Sequence, residues 1–168
     1  MKKCVFAGTF DPPTIGHKDI VLKCLEIFDE VVVALMINPN KQPLFTTEDR
    51  LALLKKVFGA YPNVKVVAYG GLLVDLLQQE NTRFYVRGIR NGTDYDYENQ
   101  LNYINCDMYK QMITVFLPTR QELVHISSSL VKDALRFNKN VNNYIPAEIR
   151  EDISRLVHTE VKTNVPKR

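Results

Sequence analysis

Short apolar runs alternate with amphipathic stretches along the whole of this chain. The apolar runs cover residues 4–7, 31–37, 64–69, 84–86 and 113–117, and each predicts a strand. The stretches between and after them carry apolar residues at helical spacing. They predict helices over residues 17–28, 72–80, 95–108, 128–137 and 147–157, and a further helix capped by Thr46 or Thr47 and ended by Gly59.

Regular alternation of strands and helices is typical of βαβ units with a parallel sheet. Because such crossovers are right-handed, we predict a single doubly wound, Rossmann-like α/β domain with a five-stranded parallel sheet and C-terminal helices. The domain is placed at residues 1–158, followed by a polar tail at 159–168. In the helix over 95–108, one apolar face is expected to point towards the core: Tyr97, Leu101, Ile104 and Met108.

The segment after the first predicted strand combines small residues with groups that bind phosphate. Gly8 and Gly16 allow close approach of the backbone and unusual φ angles. Thr14-Ile15-Gly16-His17 stands where the next helix begins, and a helix N-terminus exposes unpaired N–H groups and a partial positive charge. His17 can hydrogen-bond a phosphate oxygen, or carry charge towards it once protonated. A tight strand–helix turn that holds a histidine is the alternative interpretation.

Two arginines follow the fourth predicted strand in Arg87-Gly88-Ile89-Arg90. Guanidinium groups suit bidentate phosphate binding, and the carboxyl ends of parallel strands are where ligands bind in such folds. A surface turn with two solvated arginines is the alternative. In the segment that follows, Asp94 or Asp96 can cap the next helix. Glu98 lies about one turn into that helix and is a candidate for contact with a ribose, an arginine or a metal, with a solvated capping residue as the alternative.

Three serines, Ser127, Ser128 and Ser129, begin the helix after the fifth predicted strand. Together they offer hydroxyls and free N–H groups to a polyphosphate, although N-capping alone needs only one serine. Lys41, just after the second predicted strand, adds a cation at the same edge of the sheet and is a candidate for stabilising charge on a transferring phosphoryl group.

Composition narrows the class of protein. A chain of 168 residues with 45% hydrophobic and 24% charged residues fits one globular domain. The net charge of +3 suits anionic small ligands, and without a long basic run we predict no nucleic-acid partner. Cys4, Cys24 and Cys106 are scattered and odd in number, which favours free thiols and a cytoplasmic location. No apolar stretch predicts a membrane span or a signal peptide.

Four segments together closely resemble the bacterial phosphopantetheine adenylyltransferase family of the nucleotidyltransferase superfamily. They are Gly8–His17, Arg87–Arg90, Asp94–Glu98 and Ile126–Lys132, and they occur in the right order and spacing. The resemblance runs from about residue 4 to residue 153. It departs from the family at Ala7, where family members often have proline.

The resemblance implies that the protein transfers the adenylyl group of ATP to phosphopantetheine, giving dephospho-coenzyme A and pyrophosphate. It also implies Mg²⁺ held mainly by phosphates and water rather than by a protein metal site, coenzyme A as a feedback inhibitor, and a homohexamer. The alternatives are adenylyl or cytidylyl transfer to another phosphorylated acceptor, and a nucleotide sensor without catalysis.

The same resemblance assigns roles to individual residues. The catalytic residues would be His17, Lys41, Thr9 and Arg90. The ATP-binding residues would be Thr9, Phe10, His17, Gly88, Ile89, Arg90, Glu98, Leu123, Val124, His125, Ile126, Ser127, Ser128 and Ser129. Phosphopantetheine would be bound by Thr9, Lys41, Leu73 and Arg87.

Overall fold

The computed structural model describes the main chain of residues 1–40 and 42–163 and the side chains of these residues up to residue 158. The predicted site residue Lys41 therefore lies outside the described residues, as do residues 164–168. The strands are β1 (Lys3–Gly8), β2 (Glu30–Met36), β3 (Val64–Tyr69), β4 (Phe84–Ile89) and β5 (Ile113–Pro118). The α-helices are α1 (Ile15–Leu25), α2 (Thr47–Phe58), α3 (Leu73–Gln79), α4 (Gly92–Met108), α5 (Ser128–Arg136) and α6 (Arg150–Thr163), and single 3-10 turns cover Gln121–Leu123 and Ala147–Ile149.

The five strands form one parallel sheet in the order β3-β2-β1-β4-β5. The prediction of a doubly wound, Rossmann-like α/β fold is thus confirmed. The strand order reverses direction between β1 and β4, because the chain first builds outwards through β2 and β3 and then returns to the other side of β1. This reversal opens a crevice at the carboxyl ends of β1 and β4, where ligands bind in folds of this type.

Helices cover both faces of the sheet, so the central strands are apolar throughout. On β1, Cys4 and Phe6 pack with α1, α2 and α6, whereas Val5 and Ala7 belong to a second cluster with α3. The side chains of β2 alternate between the same two clusters, and all of them from Val31 to Leu35 are fully buried. Alternate side chains of a strand point to opposite faces, which is why a strand covered on both sides reads as one unbroken apolar run.

Several element boundaries differ from the sequence prediction in ways that affect the site. Helix α1 begins at Ile15 rather than at residue 17, so His17 lies within its first turn. Strand β4 continues to Ile89, which places Arg87 and Gly88 inside the strand rather than after it. Helix α4 begins at Gly92 and is capped by Asn91, whose side chain accepts from the Asp94 N–H, and not by Asp94 or Asp96.

The predicted inner face of α4 is wrong. Its four residues are exposed, Tyr97 by 62%, Ile104 by 59%, Met108 by 48% and Leu101 by 39%. The helix instead turns Glu98 and Asn102 towards the sheet, where Glu98 is buried beside Arg87 and Asn102 Oδ1 accepts from the Thr114 hydroxyl at 2.6 Å. Periodicity identifies an apolar stripe, but it does not identify what covers that stripe.

The C-terminal helix α6 runs through Thr163, beyond the predicted end at residue 157. The proposed domain boundary at residue 158 stays a prediction, because the end of the predicted tail lies outside the described residues. Within the described part of the chain, no helix combines the length and the apolar character that a membrane span requires.

We expect Leu54→Ala to lower the free energy of unfolding by about 2–5 kcal/mol, because Leu54 is fully buried in the cluster beneath α2 and its loss leaves a cavity. The neighbouring exposed residue offers a control, and Lys55→Ala is expected to change stability by less than about 0.5 kcal/mol. Urea unfolding of both variants checks this. Equal effects would contradict the position of the core.

Candidate active site

A cavity of about 260 Å³ opens at the carboxyl ends of β1 and β4, beside the first turns of α1 and α5. Its walls hold most of the predicted site residues: Thr9, Phe10, His17, Arg87, Gly88, Arg90, Glu98, Ile126, Ser127 and Ser128. The topological switch point of the sheet therefore coincides with the motifs predicted to bind phosphate.

The first turn of α1 is closed by a reciprocal cap between Thr14 and His17. The His17 N–H donates to the Thr14 hydroxyl oxygen at 3.3 Å, and the Thr14 N–H donates to His17 Nδ1 at 3.0 Å. This is a capping box in which histidine replaces the usual Glu or Gln at the third helical position. Since a backbone N–H can only donate, Nδ1 must be an acceptor, and the proton of the neutral ring lies on Nε2.

The environment keeps His17 neutral. Burial, together with the positive charges of Arg87 and Arg90, lowers the pKa of His17 from 6.5 to about 4. The ring is held edge-to-face by Phe10, with 4.9 Å between ring centroids. His17 thus presents a fixed, uncharged Nε2–H donor to the cavity that it lines. The sequence left open whether this histidine would act as a neutral donor or as a cation, and the geometry favours the neutral donor.

The loop between β1 and α1 achieves its shape without the glycine conformations expected from the sequence. Among the described residues no glycine has a positive φ, and it is Phe10 that adopts the left-handed region with φ of 45°. Gly8 is required by proximity instead, because a Cβ there would lie 3.2 Å from the Phe10 ring. Gly88 has a similar role, since a Cβ on it would lie 2.8 Å from the Ile20 side chain of α1.

Two buried charged residues fix this loop from outside the cavity. The Arg50 guanidinium, on α2, donates to the Thr9 carbonyl at 2.8 Å and to the Phe45 carbonyl at 3.1 Å. The Asp11 carboxylate accepts from the N–H groups of Leu44 and Phe45 at 2.8 and 3.0 Å. These contacts bind the β1–α1 loop to the β2–α2 connection. The sequence carries no local signal for either role, because Thr9 lies 41 residues from Arg50 and Phe45 lies 34 residues from Asp11.

Arg87 is held on two sides inside β4. Its guanidinium forms an ion pair with Glu98 of α4 and donates to the Ala7 carbonyl at 2.8 Å, while its Nε is buried without a hydrogen-bond partner. Glu98, predicted to contact ATP, thus also orients the arginine predicted to bind the acceptor.

Arg90 is paired in the same manner with Asp94, one turn into α4. Its Nε and one terminal nitrogen reach the two Asp94 oxygens at 2.8 and 3.1 Å. This hydrogen bonding lowers the pKa of Asp94 below its usual value. Sequence analysis treated Asp94 only as a capping residue, whereas it lines the cavity beside the arginine. Its spacing of four from Arg90 on the way into a helix was the available signal.

The three serines have separate tasks. Ser127 caps α5 by accepting from the Leu130 N–H at 3.1 Å, and the Ser128 hydroxyl donates to the Pro12 carbonyl at 2.9 Å. Ser129 lines a neighbouring cavity of about 570 Å³, which shares Thr9 and Ser128 with the first. The N-terminus of α5 therefore faces both cavities, with its hydroxyls partly used to hold the fold.

Other predicted site residues do not line the first cavity. Ile89 ends β4 and accepts from the Thr119 N–H at 2.9 Å. Leu73 packs partly buried against the second core cluster. Three residues of the segment before α5 lie outside the lining: Leu123, Val124 and His125. Thr119 lines the cavity and was not predicted, because only the pairing of β4 with β5 brings it there.

The described charges of the cavity balance. Arg87 and Arg90 face Glu98 and Asp94, and His17 is neutral. Among the residues that the structure describes, no three His, Cys, Asp or Glu side chains are grouped so as to hold a metal ion. A divalent cation here would need most of its ligands from the substrate's phosphates and from water.

Comparison with known proteins identifies the family of this chain. Residues 5–134 match the cytidylyltransferase-like family model. A phosphopantetheine adenylyltransferase from Heliobacterium modesticaldum is 37% identical, covering 100% of both chains. Another from Symbiobacterium thermophilum is 42% identical, covering 87% of this chain and 90% of that protein. A third, from Desulfatibacillum aliphaticivorans, is 38% identical, covering 92% and 88%.

Among solved structures, one assigned as a nicotinate-nucleotide adenylyltransferase from Vibrio parahaemolyticus superposes with a TM-score of 0.67. It is 21% identical and covers 95% of this chain and 94% of that one, which supports the fold alone. The cavity, its motifs and the identity to curated relatives over nearly full length lead to one conclusion: the chain belongs to the cytidylyltransferase-like family, and within it to the phosphopantetheine adenylyltransferases.

Proposed function

We propose that this protein transfers the adenylyl group of ATP to phosphopantetheine, forming dephospho-coenzyme A and releasing pyrophosphate. The observation that carries the proposal is the neutral His17, whose Nε2–H is fixed at a helix N-terminus in a cavity that also holds two arginines. The relatives named phosphopantetheine adenylyltransferase, which are 37–42% identical over most of the chain, support this choice of acceptor.

In this reaction a phosphate oxygen of phosphopantetheine attacks the α-phosphorus of ATP. The bond between the α-phosphorus and the oxygen that bridges to the β-phosphate breaks, and its electron pair leaves with pyrophosphate. Charge therefore builds up on the α-phosphoryl oxygens. The Nε2–H of His17, at the positive N-terminal end of the α1 dipole, is a donor preorganised for that charge. Positioning and electrostatic stabilisation suffice, so no covalent enzyme intermediate is required.

The remaining roles are those that the family resemblance implies. Thr9 and Lys41 would act with His17 at the transferring group, and Arg87 with Leu73 would bind phosphopantetheine. ATP would contact Gly88, Ile89, Arg90 and Glu98, and the segment from Leu123 to Ser129 would border adenine and the distal phosphates. Support for the ATP side comes from the cavity, which joins Gly88, Arg90 and Ser128 in one wall.

Magnesium would accompany ATP. In the described lining the two arginines are already paired with carboxylates, so an incoming triphosphate would meet no net positive charge there. A divalent cation bound to the phosphates supplies the missing counter-charge and polarises the phosphoryl oxygens. This chain's own residues would hold the phosphates, through Arg90 and the N-terminus of α5.

Regulation and location complete the proposal. Coenzyme A, which contains the product's structure, would compete in the same cleft as a feedback inhibitor. Three free cysteines, two of them buried, fit a reducing cytoplasm.

A homo-oligomer, hexameric as the family resemblance implies, would cover the exposed stripe of α4. This stripe comprises Tyr97, Leu101, Ile104 and Met108. A contiguous aromatic and aliphatic face on a helix is a typical interaction surface, and aromatic residues are enriched at interface cores. We propose that a second copy of this chain is the occupant.

Replacing the histidine tests the catalytic assignment. We expect His17→Ala to lower kcat about 100- to 1,000-fold, because one preorganised donor to the transition state is lost. His17→Gln can keep the reciprocal cap with Thr14 and should melt near the wild-type temperature while remaining at least about tenfold slower. Pyrophosphate release from ATP and Mg²⁺, with and without phosphopantetheine, measures both variants.

The exposed His158 provides a control, and His158→Ala should behave as wild type. A near-normal rate in His17→Ala would contradict the mechanism. Release of pyrophosphate that does not depend on phosphopantetheine would contradict the acceptor.

The neutral state of His17 predicts its pH dependence. Because its pKa lies near 4, the kcat/KM ratio of wild type to His17→Gln should stay constant between pH 6 and 8. An imidazolium with an ordinary pKa would make that ratio fall about tenfold per unit above pH 6.5.

The same shift sets the sign of the stability effect. Between the unfolded pKa of about 6.5 and the folded value of about 4, the unfolded chain binds the proton that folded His17 rejects. Wild type should therefore lose stability relative to His17→Gln as the pH falls through this window, and the difference should be independent of pH above it. Thermal unfolding at pH 4.5 and 7.5 measures this difference, and an unchanged difference would contradict it.

The interface on α4 predicts that Ile104→Glu dissociates the oligomer, because it places a charge at the centre of the apolar stripe. Ile27→Glu is the matched control, since Ile27 is an isolated apolar residue at the end of α1 that is 50% exposed. Sedimentation velocity measures the mass of each species. An unchanged mass for Ile104→Glu, or equal dissociation by both variants, would contradict this interface.

A further inference from the structure

Asp19 is a buried carboxylate that the proposed reaction does not use. It lies on α1, two residues after His17, and its side chain is only 3% exposed. Neither oxygen has a partner that meets hydrogen-bond geometry. A buried charge is costly unless it is compensated, so its neighbours show what it is for.

Two cations from different parts of the chain meet at this carboxylate. Lys23 Nζ, one turn further along α1, lies 2.9 Å from one oxygen, and Arg120 Nε lies 2.6 Å from the other. Lys23 Nζ also donates to the Pro118 carbonyl at 2.6 Å. Asp19 and Lys23 together therefore tie the end of β5 and the residue after Thr119 to the helix that carries His17.

The segment attached in this way, residues 119–126, forms one wall of the first cavity through Thr119 and Ile126. It has little core of its own, because Ile126 is its only buried residue in the described structure. Its internal hydrogen bonds join near neighbours, such as Ile126 N–H to the Leu123 carbonyl at 3.0 Å. Its position relative to α1 must therefore come from polar attachments.

There are two such attachments at its start. The Thr119 N–H donates to the Ile89 carbonyl at 2.9 Å, which fixes the wall to β4. The Asp19–Arg120 pair fixes it to α1. Together these two attachments to β4 and α1 fix the distance between residues 119–126 and the His17 ring.

We propose that Asp19 is a positioning residue for the nucleotide: through Arg120 it sets residues 119–126 at the distance from His17 that ATP requires. The inference rests on the proposed function, because that function assigns this segment to the adenine and distal phosphates. Phosphopantetheine is assigned to the opposite side, at Arg87 and Leu73, so its binding should depend on Asp19 far less.

Exposure of the partners makes this testable without unfolding the protein. The Lys23 and Arg120 side chains are 31% and 56% exposed, so each can turn to solvent when its counter-charge is removed. Asp19→Asn keeps the shape of the side chain and removes its charge. Arg120→Gln breaks the same pair from the exposed side, and Arg120→Lys retains the cation. Glu26→Gln, an exposed acid at the end of the same helix, is the matched control.

The experiment is calorimetric titration with a non-hydrolysable ATP analogue and Mg²⁺ in the absence of acceptor, followed by KM for ATP and for phosphopantetheine. Asp19→Asn and Arg120→Gln should each raise the Kd of the analogue about tenfold. Arg120→Lys should recover most of the affinity, and Glu26→Gln should match wild type. The double variant Asp19→Asn/Arg120→Gln should bind the analogue with a Kd no higher than that of the weaker-binding single variant. Both substitutions remove the same ion pair, so their effects should not add. KM for phosphopantetheine should stay within about twofold.

Wild-type affinity in both single variants would overturn the inference. So would an equal loss for ATP and phosphopantetheine, which indicates general loosening of the fold. Failure of the wild-type protein to bind the analogue would instead contradict the proposed function, and this titration separates the two cases because it needs no acceptor.

Discussion

The hydrogen bond from the Thr14 N–H to His17 Nδ1 is the interaction on which the site depends. It ends the β1–α1 loop, starts the helix, and fixes the tautomer of the imidazole in one step. Burial and the two arginines lower the pKa of His17, so the ring is neutral. Because its proton lies on Nε2, the neutral ring still donates a hydrogen bond to the cavity. A cation at this position would bind the ground-state phosphates tightly, whereas a neutral donor can strengthen as charge develops in the transition state.

The positive charges of the two arginines in the cavity are also neutralised before substrate binds. Each is held by a carboxylate from α4, Arg87 by Glu98 and Arg90 by Asp94. Such pairs orient the guanidinium groups before substrate arrives and reduce the side-chain entropy lost on binding. They also leave the described part of the cavity without net charge. On the proposed function, affinity for a triphosphate would therefore come from geometry, helix N-termini and a cation bound to the nucleotide. Helix α4 is thus part of the site through its polar inner face.

Features that depend on neighbouring residues could be predicted from the sequence, and features that depend on distant partners could not. Strand runs such as 31–37 and the motif Thr14–His17 are local, so the sheet and the position of His17 at the first cavity follow from them. The apolar stripe of α4 was assigned inwards because periodicity carries no information about a partner outside the chain. The charge of Arg87 predicts that the strand ends before it. In the structure the strand continues, because the Ala7 carbonyl and Glu98 compensate that charge inside the sheet. The contacts of Arg50, Asp11 and Asp19 join distant segments and leave no local pattern.

These long-range polar contacts share one physical task. In a doubly wound fold the strands and helices are fixed by apolar burial, but the loops at the carboxyl edge have too little apolar surface to fix themselves. Arg50 holds the β1–α1 loop by the Thr9 carbonyl. Asp11 holds the β2–α2 connection by two of its N–H groups, and Asp19 holds the segment after β5 by Arg120. Each anchor is buried to within a few per cent, where a charge interacts strongly because the local dielectric is low. On the proposed function, the free energy spent on burying these charges positions three segments around the α-phosphorus of ATP. A misplacement of about 1 Å there would be enough to slow the reaction about 100-fold.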